Sequence, residues 1–407
     1  MARPAPAAAR LVVTAPDRAA HGEAICDMLA KVFSDRGGYT RWRNLCRNSW
    51  VLPGHYDWHT ARIGMMGDRL LTHFGVWNRR MRVGSAVVRV AGVGGVATDG
   101  AYRGRGYMDC TTKAALAAMR SAGYHLSILF GIPDFYRQYG YVRAWPLVVY
   151  TVALKDLPTD RPGVRLRRFT PVARDDVGRL YNRAHKGLTG TVVRPTYAEG
   201  TLAANAEGFR WTDAAGRTRG YVVTEVRGDE FRCLEAAGHT DEILCVLAHL
   251  ARRGVFREIC FHTIHEQTPL MKRLRQGNCR AEVHYYRSFG AQVRIVNLPA
   301  ALEAMQDELG RRLCASPLAT WRGRLVIADG HETATLVMNR SHVRVETGGR
   351  SKHAIRGCDE VAQLLIGTDD PHATAAAAAM KLHGDAVHLA AVLFPRQDPM
   401  MSLRDRY

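Results

Sequence analysis

The pattern of apolar and polar positions divides the N-terminal part of the chain into short strands and helices. The predicted elements are a helix at 20–33 and strands at 11–14, 61–66, 69–77 and 85–96. Between them, residues 39–56 are rich in Trp, Arg and Asn and have no clear period. This segment is predicted either to line a substrate cleft or to form two helices that bury Trp42 and Trp50.

A glycine-rich turn follows the last of these strands. The small-residue segment 93–98 leads to Arg103-Gly104-Arg105-Gly106, which opens into a helix with Met108, Ala115, Leu116 and Met119 on one face. Glycine tolerates the left-handed backbone of a tight turn, and the N–H groups of a first helical turn point at any anion placed there. Because two arginines add positive charge, this stretch predicts a phosphate site.

A second motif comes after that helix. The apolar run 126–132 predicts a strand, and Pro133 separates it from the sequence Asp134-Phe135-Tyr136-Arg137-Gln138-Tyr139-Gly140-Tyr141. The β-prone run 142–154 then leads to a Pro- and Gly-containing segment at 157–163. Such a composition is typical of a linker.

The same order of elements is predicted again after this linker. The pattern indicates a strand at 164–168, a helix at 175–184, a hairpin at 219–226 and 231–236, a helix capped by Thr240, and strands at 257–263 and 282–298. In place of the glycine-rich turn stands Ala237-Gly238-His239-Thr240, which lacks both arginines and the paired glycines. Residues 164–298 are therefore interpreted as a degenerate copy with a structural role, walling the cleft.

A third region begins at residue 299. An amphipathic helix at 299–314 carries Leu302, Met305, Leu309 and Leu313 on one face. Strands at 324–328, 333–339 and 342–346 and helices at 359–366 and 374–382 follow. This combination predicts a small α+β domain that is either a lipid carrier or a structural cap.

Composition narrows the functional class. The net charge of +19 is spread along the chain without a Lys/Arg run, which favours a solvated basic surface over a nucleic-acid groove. No apolar run approaches the ~20 residues that span a bilayer. The nine cysteines contain no C-x-x-C pair, and the spacings His55/His59 and His262/His265 lack further ligands, so no metal site is predicted. A cytoplasmic protein with free thiols is expected.

The strand, Arg-Gly-Arg-Gly turn, helix, strand and Phe-Tyr-x-x-Tyr-Gly-Tyr motif together resemble the GNAT superfamily of acetyl-CoA-dependent N-acetyltransferases. With the degenerate repeat and a third region similar to sterol-carrier-type domains, the whole chain resembles the enhanced intracellular survival (Eis) family. The resemblance implies a mixed α/β and α+β fold of tandem GNAT modules. The catalytic module would be 1–163, the degenerate module 164–298 and the sterol-carrier-like domain 299–407. A cytoplasmic homo-oligomer, a hexamer in that family, is implied as well.

The resemblance also assigns the site residues. Acetyl-CoA would be bound at Val96, Ala97, Thr98, Arg103, Gly104, Arg105, Gly106, Tyr107, Met108, Asp109, Gly131 and Ile132. Tyr136 would be the general acid, since a phenol with a pKa near 10 can protonate a thiolate of pKa about 8.5. The terminal carboxylate of Tyr407 would be the base, although such a group is a weak base unless burial raises its pKa.

Three functions are compatible with these residues. The first is acetylation of a primary amine of a small molecule by direct attack in a ternary complex. The second is acetylation of a protein lysine. The third is a non-catalytic carrier of a lipid or small ligand, which the intact Arg103–Gly106 turn argues against because a scaffold does not need it.

Overall fold

A computed structural model describes residues 10–159, 163–169, 175–195, 206–340 and 342–407. The chain forms two compact units. The first contains the described residues of Met1–Arg79, together with Arg89–Leu129 and Tyr407. The second contains Arg80–Val88 and the described residues of Phe130–Arg406.

The N-terminal elements agree closely with the predicted ones. They are β1 (Val12–Thr14), α1 (Arg18–Val32), α2 (Tyr39–Leu45), β2 (Arg62–Met66), β3 (Arg69–Val83), β4 (Ala86–Thr98), α3 (Tyr107–Ser121) and β5 (Leu126–Gly131). In the first unit β2 pairs antiparallel with β1 and β3, and β4 pairs parallel with β5 from Val90/Leu126 to Val93/Leu129. A parallel pair joined by a helix is the arrangement that places the turn after β4 at the end of the sheet.

Small and hydroxyl residues seat α3 on the sheet. Thr111, Thr112, Ala115 and Met119 are its buried residues, whereas the predicted Met108 and Leu116 are only partly buried. The hydroxyls of Thr72 and Thr111 lie 2.7 Å apart in a hydrogen bond. A Cβ at Gly64 would come within 2.2 Å of the Thr72 hydroxyl, so glycine is required for this close approach. The turn before α3 is thus held on a rigid base.

The remaining elements follow in chain order. They are β6 (Val142–Arg143), β7 (Leu147–Ala153), β8 (Leu166–Phe169), α4 (Asp175–Ala184), β9 (Ala206–Thr212), β10 (Thr218–Arg227), β11 (Glu230–Ala237), α5 (Thr240–Arg252), β12 (Glu258–His262), α6 (Pro269–Leu274), β13 (Cys279–His284), β14 (Gly290–Ile295), α7 (Leu298–Cys314), β15 (Arg322–Ala328), β16 (Thr333–Asn339), β17 (His342–Thr347), β18 (His353–Arg356), α8 (Val361–Ile366), α9 (Pro371–Ala377), β19 (Lys381–His383) and α10 (Ala386–Leu393).

Two further sheets lie in the second unit. A seven-stranded sheet has the order β13-β7-β12-β11-β10-β9-β8, and a five-stranded sheet has the order β17-β16-β15-β18-β19. In the first of these, β11 and β12 are parallel and joined by α5, as β4 and β5 are joined by α3. The parallel strand pair joined by a helix is therefore present twice, and the fold is mixed α/β with an additional α+β region. The predicted apolar face of α7 is also confirmed, since Leu302, Met305, Leu309 and Leu313 are fully buried.

Several predicted boundaries were wrong in detail. Thr240 does not cap α5: it is the first helical residue, and His239 precedes it without a side-chain cap. The single strand predicted at 282–298 is two strands, β13 and β14, followed directly by α7. The helix predicted at 374–382 ends as α9 at Ala377, and β19 follows it. Part of the predicted linker, residues 160–162, lies outside the described residues.

The predicted strand at 142–154 is divided between two partners. Pro146 has no N–H to donate, and the run breaks beside it into β6 and β7. β6 pairs with β14, whereas β7 pairs with β12 and β13 in the seven-stranded sheet. No helix among the described residues is long and apolar enough to cross a membrane.

Candidate active site

The turn after β4 has the geometry of an anion site. Gly104 and Gly106 have φ of +74° and +75°, which is the left-handed conformation that glycine allows at little cost. A Cβ added at either position would meet no atom of the described chain within 4 Å, so this side of the turn is open. Gly106 directly precedes α3, whose first N–H groups have no acceptor within the helix.

The surroundings of the turn are positively charged. Arg103 and Arg105 are exposed, and the Arg105 guanidinium lies 5.1 Å from the centre of the Tyr102 ring. Asp99 caps the short helical turn before them and forms an ion pair with Arg69 at 2.9 Å. Asp109, in the first turn of α3, is paired with Lys113 at 2.7 Å. This pairing compensates a carboxylate that would otherwise repel a phosphate.

A buried histidine fixes the irregular part of β4. Gly95 has φ of +56°, and a left-handed glycine inside a strand is typical of a bulge. His73 is fully buried, with Nδ1 2.6 Å from the Gly95 carbonyl oxygen and Nε2 2.7 Å from the Tyr56 hydroxyl. Because a carbonyl can only accept, Nδ1 carries the proton and Nε2 accepts from Tyr56. This chain of bonds holds the strand where it leaves its regular pleat, just before Val96, Ala97 and Thr98.

The last residue of the chain lies on the same strand. A Cβ at Gly92 would be 2.3 Å from the Tyr407 ring, and a Cβ at Gly94 would be 2.7 Å from the Tyr407 carboxyl carbon. Both positions must therefore be glycine for Tyr407 to occupy this place. The Trp77 ring lies beside Gly94, stacks on Trp50 at 4.9 Å and donates its N–H to the Trp50 carbonyl at 3.0 Å. The carboxyl group of Tyr407 consequently lies near the buried ring of Trp77.

We expect the free energy of unfolding to fall as the pH drops from about 6.5 to about 5. Burial lowers the pKa of His73, His185 and His265 to about 4, whereas unfolded histidines bind protons from about pH 6.5. The unfolded state therefore binds more protons in this window, and each one costs ~1.4 kcal/mol per pH unit. Urea midpoints at several pH values measure the effect, and a midpoint independent of pH would contradict buried neutral histidines.

Tyr136 and its neighbours belong to the second unit. Tyr136 is 7% exposed, and its ring contacts Phe135 and Tyr141 edge to face at centroid distances of 4.9 and 5.9 Å. Burial, with smaller contributions from Tyr141 and Tyr139, raises the pKa of the Tyr136 phenol well above its usual value. The phenol thus stays protonated at neutral pH, as a proton donor requires, but it is a weaker acid than an exposed tyrosine.

The two remaining predicted cofactor residues differ in accessibility. Gly131 is buried, and its carbonyl accepts a hydrogen bond from the Phe289 N–H at 2.7 Å. Ile132 is 46% exposed. The first unit therefore brings together Tyr407, Val96 to Thr98 and the Arg103–Asp109 turn along β4 and its end, and the second unit holds Tyr136, Gly131 and Ile132. Sequence reasoning missed His73, Tyr56 and Trp77, for which only the glycines at 92, 94 and 95 gave a signal.

Comparison with known families addresses the first module. Residues 18–144 match the family model described as an acetyltransferase (GNAT) domain. This part of the chain is similar to GNAT acetyltransferase domains. The match spans both the Arg103–Gly106 turn and Tyr136, and it confirms the prediction of an acyltransferase, whose donor class is an acyl-CoA thioester. No curated protein sequence matches the chain significantly.

Solved structures resemble the chain over nearly its whole length. They include the GCN5-related N-acetyltransferases from Kribbella flavida (19% identity, 98% of this chain and 100% of that one, TM-score 0.73) and Anabaena variabilis ATCC 29413 (16%, 96% and 99%, TM-score 0.74). Eis1 from Mycobacterium abscessus is similar at 16% identity, over 97% of this chain and 99% of that one, with a TM-score of 0.67. At these identities the likeness is one of fold.

Proposed function

We propose that the protein transfers the acetyl group of acetyl-CoA to a primary amine of a small molecule. The observation that carries the proposal is the shared strand: β4 ends in the Arg103–Gly106 turn, and Tyr407 lies on its glycines 92 and 94. The anion-binding turn and the terminal carboxyl group are thereby connected through one rigid strand of the first unit. A scaffold or lipid carrier would have no use for this combination.

The chemistry assigns one task to each group. The N–H groups of Tyr107, Met108 and Asp109 and the charges of Arg103 and Arg105 hold the pyrophosphate, and the backbone of Val96 to Thr98 holds the pantetheine arm. The neutral amine attacks the thioester carbonyl carbon. A C–N bond forms, the C–S bond breaks, and the electron pair leaves on sulfur.

Two proton transfers complete the reaction. The carboxylate of Tyr407 takes the proton that the amine nitrogen loses, and the Tyr136 phenol supplies a proton to the departing thiolate. The tyrosyl ring lies against Gly92 and fixes the direction of the carboxylate. The buried Trp77 beside it limits access of water to the carboxylate on one side.

In this proposal each of the three regions of the chain has its own role. Residues 1–163 carry the acetyl-CoA turn, 164–298 form the degenerate module, and 299–407 form a sterol-carrier-type domain that supplies the terminal carboxylate. The five-stranded sheet backed by the buried face of α7 supports the last assignment. The net charge of +19 favours polyanionic acetyl-CoA and disfavours a strongly cationic acceptor at long range.

Arg103→Ala combined with Arg105→Ala is expected to weaken acetyl-CoA binding by about ten- to a hundredfold. Each charge-assisted hydrogen bond contributes roughly 1.5–3 kcal/mol, and exposure reduces this amount. Both side chains are exposed, so the melting temperature remains near native. Calorimetric titration at moderate salt measures the affinity, with Arg253→Ala/Arg257→Ala as a control of equal charge. Unchanged affinity in the loop variant would remove the turn from the mechanism.

The proposed function is tested with a panel of acceptors. Thiol release from acetyl-CoA is measured with small primary amines and with lysine-containing peptides, and the acetylated products are identified by mass spectrometry. Release dependent on small amines supports the proposal. Release with peptides alone assigns a lysine acetyltransferase, and absence of both release and acetyl-CoA-dependent thermal stabilisation indicates a scaffold.

A further inference from the structure

A buried ion cluster in the second unit holds the end of the chain. The Arg194 guanidinium donates to Glu235 Oε1 and Oε2 at 2.9 and 2.7 Å, and to Asp405 Oδ1 and Oδ2 at 2.8 and 2.9 Å. None of the three residues is more than 3% exposed. Because a guanidinium is a rigid planar fork, two bidentate carboxylate pairs fix both the distance and the direction of each partner.

Neutral side chains complete this cluster. The Tyr181 hydroxyl donates to Asp405 at 3.1 Å, and its ring lies 3.6 Å from the Arg194 guanidinium carbon. The Glu235 carboxylate also accepts from the hydroxyls of Tyr221 at 2.8 Å and Ser402 at 3.1 Å. Burial alone would raise the pKa of Glu235, but the Arg194 charge outweighs it and lowers the pKa to about 2. The Glu235 carboxylate is therefore charged at neutral pH and pairs with the Arg194 guanidinium.

Before this cluster the chain end is held by individual hydrogen bonds, such as those that Gln397 accepts from Thr189 and Arg312. Residues 395–402 form neither helix nor strand. Backbone bonds from Gln397 to Gly367 (2.9 Å) and from Met400 to Thr189 (3.1 Å) precede the short turn Leu403–Asp405. Tyr407 comes two residues after Asp405, a reach of at most ~7 Å. A displacement of Asp405 is consequently transmitted to the terminal carboxylate over a very short span.

The second repeat supplies Arg194, which pairs with Asp405, and Glu235, which pairs with Arg194. Glu235 lies on β11, which corresponds to β4 in the parallel pair of the first module, and Arg194 follows α4. Burying an ion pair seldom stabilises a fold more than apolar packing of the same volume would. The contribution of this cluster is therefore to fix the position of Asp405 rather than to add to the free energy of unfolding.

We infer that Arg194 and Glu235 are positioning residues for the terminal carboxylate, which they hold in place through Asp405. The inference rests on the proposed function for its catalytic consequence. It gives the degenerate repeat a part in the reaction, although that repeat lacks the arginine–glycine turn. The repeat binds Asp405, which precedes the proposed base by two residues in the chain.

The first test needs no activity. Asp405→Asn and Glu235→Gln remove one charge each, and Asp398→Asn is the matched control because it breaks the Arg396–Asp398 pair in the same tail. Release of Tyr407 by a carboxypeptidase is followed by mass spectrometry below the melting temperature. We expect at least tenfold faster release in the first two variants and native release in the control. Equal release from all chains would overturn the inference. If either variant does not fold, Tyr181→Phe is used in its place, because it removes only the hydrogen bond from the Tyr181 hydroxyl to Asp405.

The second test separates positioning from general stability. In the native-length chain, Asp405→Asn is expected to lower single-turnover acetyl transfer at least tenfold. In a chain with one glycine added after Tyr407, the carboxylate is already displaced, so the same substitution changes the remaining rate less than threefold. If Asp405→Asn lowers the single-turnover rate by the same factor in the native-length and the extended chain, a positioning role is contradicted. If the added glycine alone has no effect, the proposed base is wrong, while the carboxypeptidase result still decides whether the cluster holds Tyr407.

Discussion

Adding one glycine after Tyr407 is expected to reduce acetyl transfer at least ~10²-fold, with acetyl-CoA affinity and melting temperature near native. The addition converts the carboxylate of Tyr407 into a peptide group and moves the terminal charge by ~3.5 Å, while every side chain is retained. Loss of a general base typically lowers the rate by ~10²–10⁴-fold. Single-turnover transfer at saturating acetyl-CoA and amine measures the chemical step directly.

Two further variants at the same residue serve as controls. Tyr407→Phe keeps the carboxylate and the ring that lies against Gly92, so its rate should stay within about threefold of native. Deletion of Tyr407 removes the ring and leaves the terminal carboxylate on Arg406, displaced by ~3.5 Å, so this variant should transfer as poorly as the extended chain. Near-native rates in the extended and shortened chains would show that the base lies elsewhere.

Tyr136→Phe is expected to bind acetyl-CoA normally and to lower turnover by about 10²–10⁴-fold, since the phenylalanine ring fills the same space but cannot donate a proton. Tyr139→Phe is the matched control, because Tyr139 is an equally buried tyrosine three residues further on. Steady-state and single-turnover rates of both variants decide the role. A Tyr136→Phe variant with native turnover would make this tyrosine a core residue.

Burial of Tyr136 also predicts the alkaline limb of the pH profile. Because burial raises the pKa of its phenol well above the usual value, the group stays protonated and the rate should not fall between about pH 8 and 10 through loss of this acid. The ordinary phenol assumed from the sequence would begin to titrate there. An alkaline fall in the native enzyme that is absent from Tyr136→Phe would contradict the raised pKa.

Local chemistry explains which parts of the fold were predictable. The Arg103–Gly106 turn depends on two glycines whose positive φ is a property of the residues themselves. The buried face of α7 follows from its period. The separate partners of β6 and β7 were not predictable, because pairing between strands distant in sequence leaves no mark in the run 142–154.

Contacts between residues distant in sequence were also not predictable at the candidate site. The glycines at 92 and 94 are visible in the sequence, but nothing local indicates that they accommodate a residue more than 300 positions away. Arg194 is 41 positions before Glu235 and 211 positions before Asp405. From the sequence alone, each of these residues would be predicted to be a solvent-exposed charged side chain. Only the folded chain shows that they form one buried cluster.

The most direct test of the account is a single-turnover experiment with acetyl-labelled acetyl-CoA. Direct transfer predicts that enzyme and donor without an amine release no CoA and leave no label on the protein. Addition of an accepted small amine should then produce CoA and acetylated amine in equal amounts. Label that becomes covalently attached to the protein, or donor that stays intact with every amine at saturating concentration, would contradict the account.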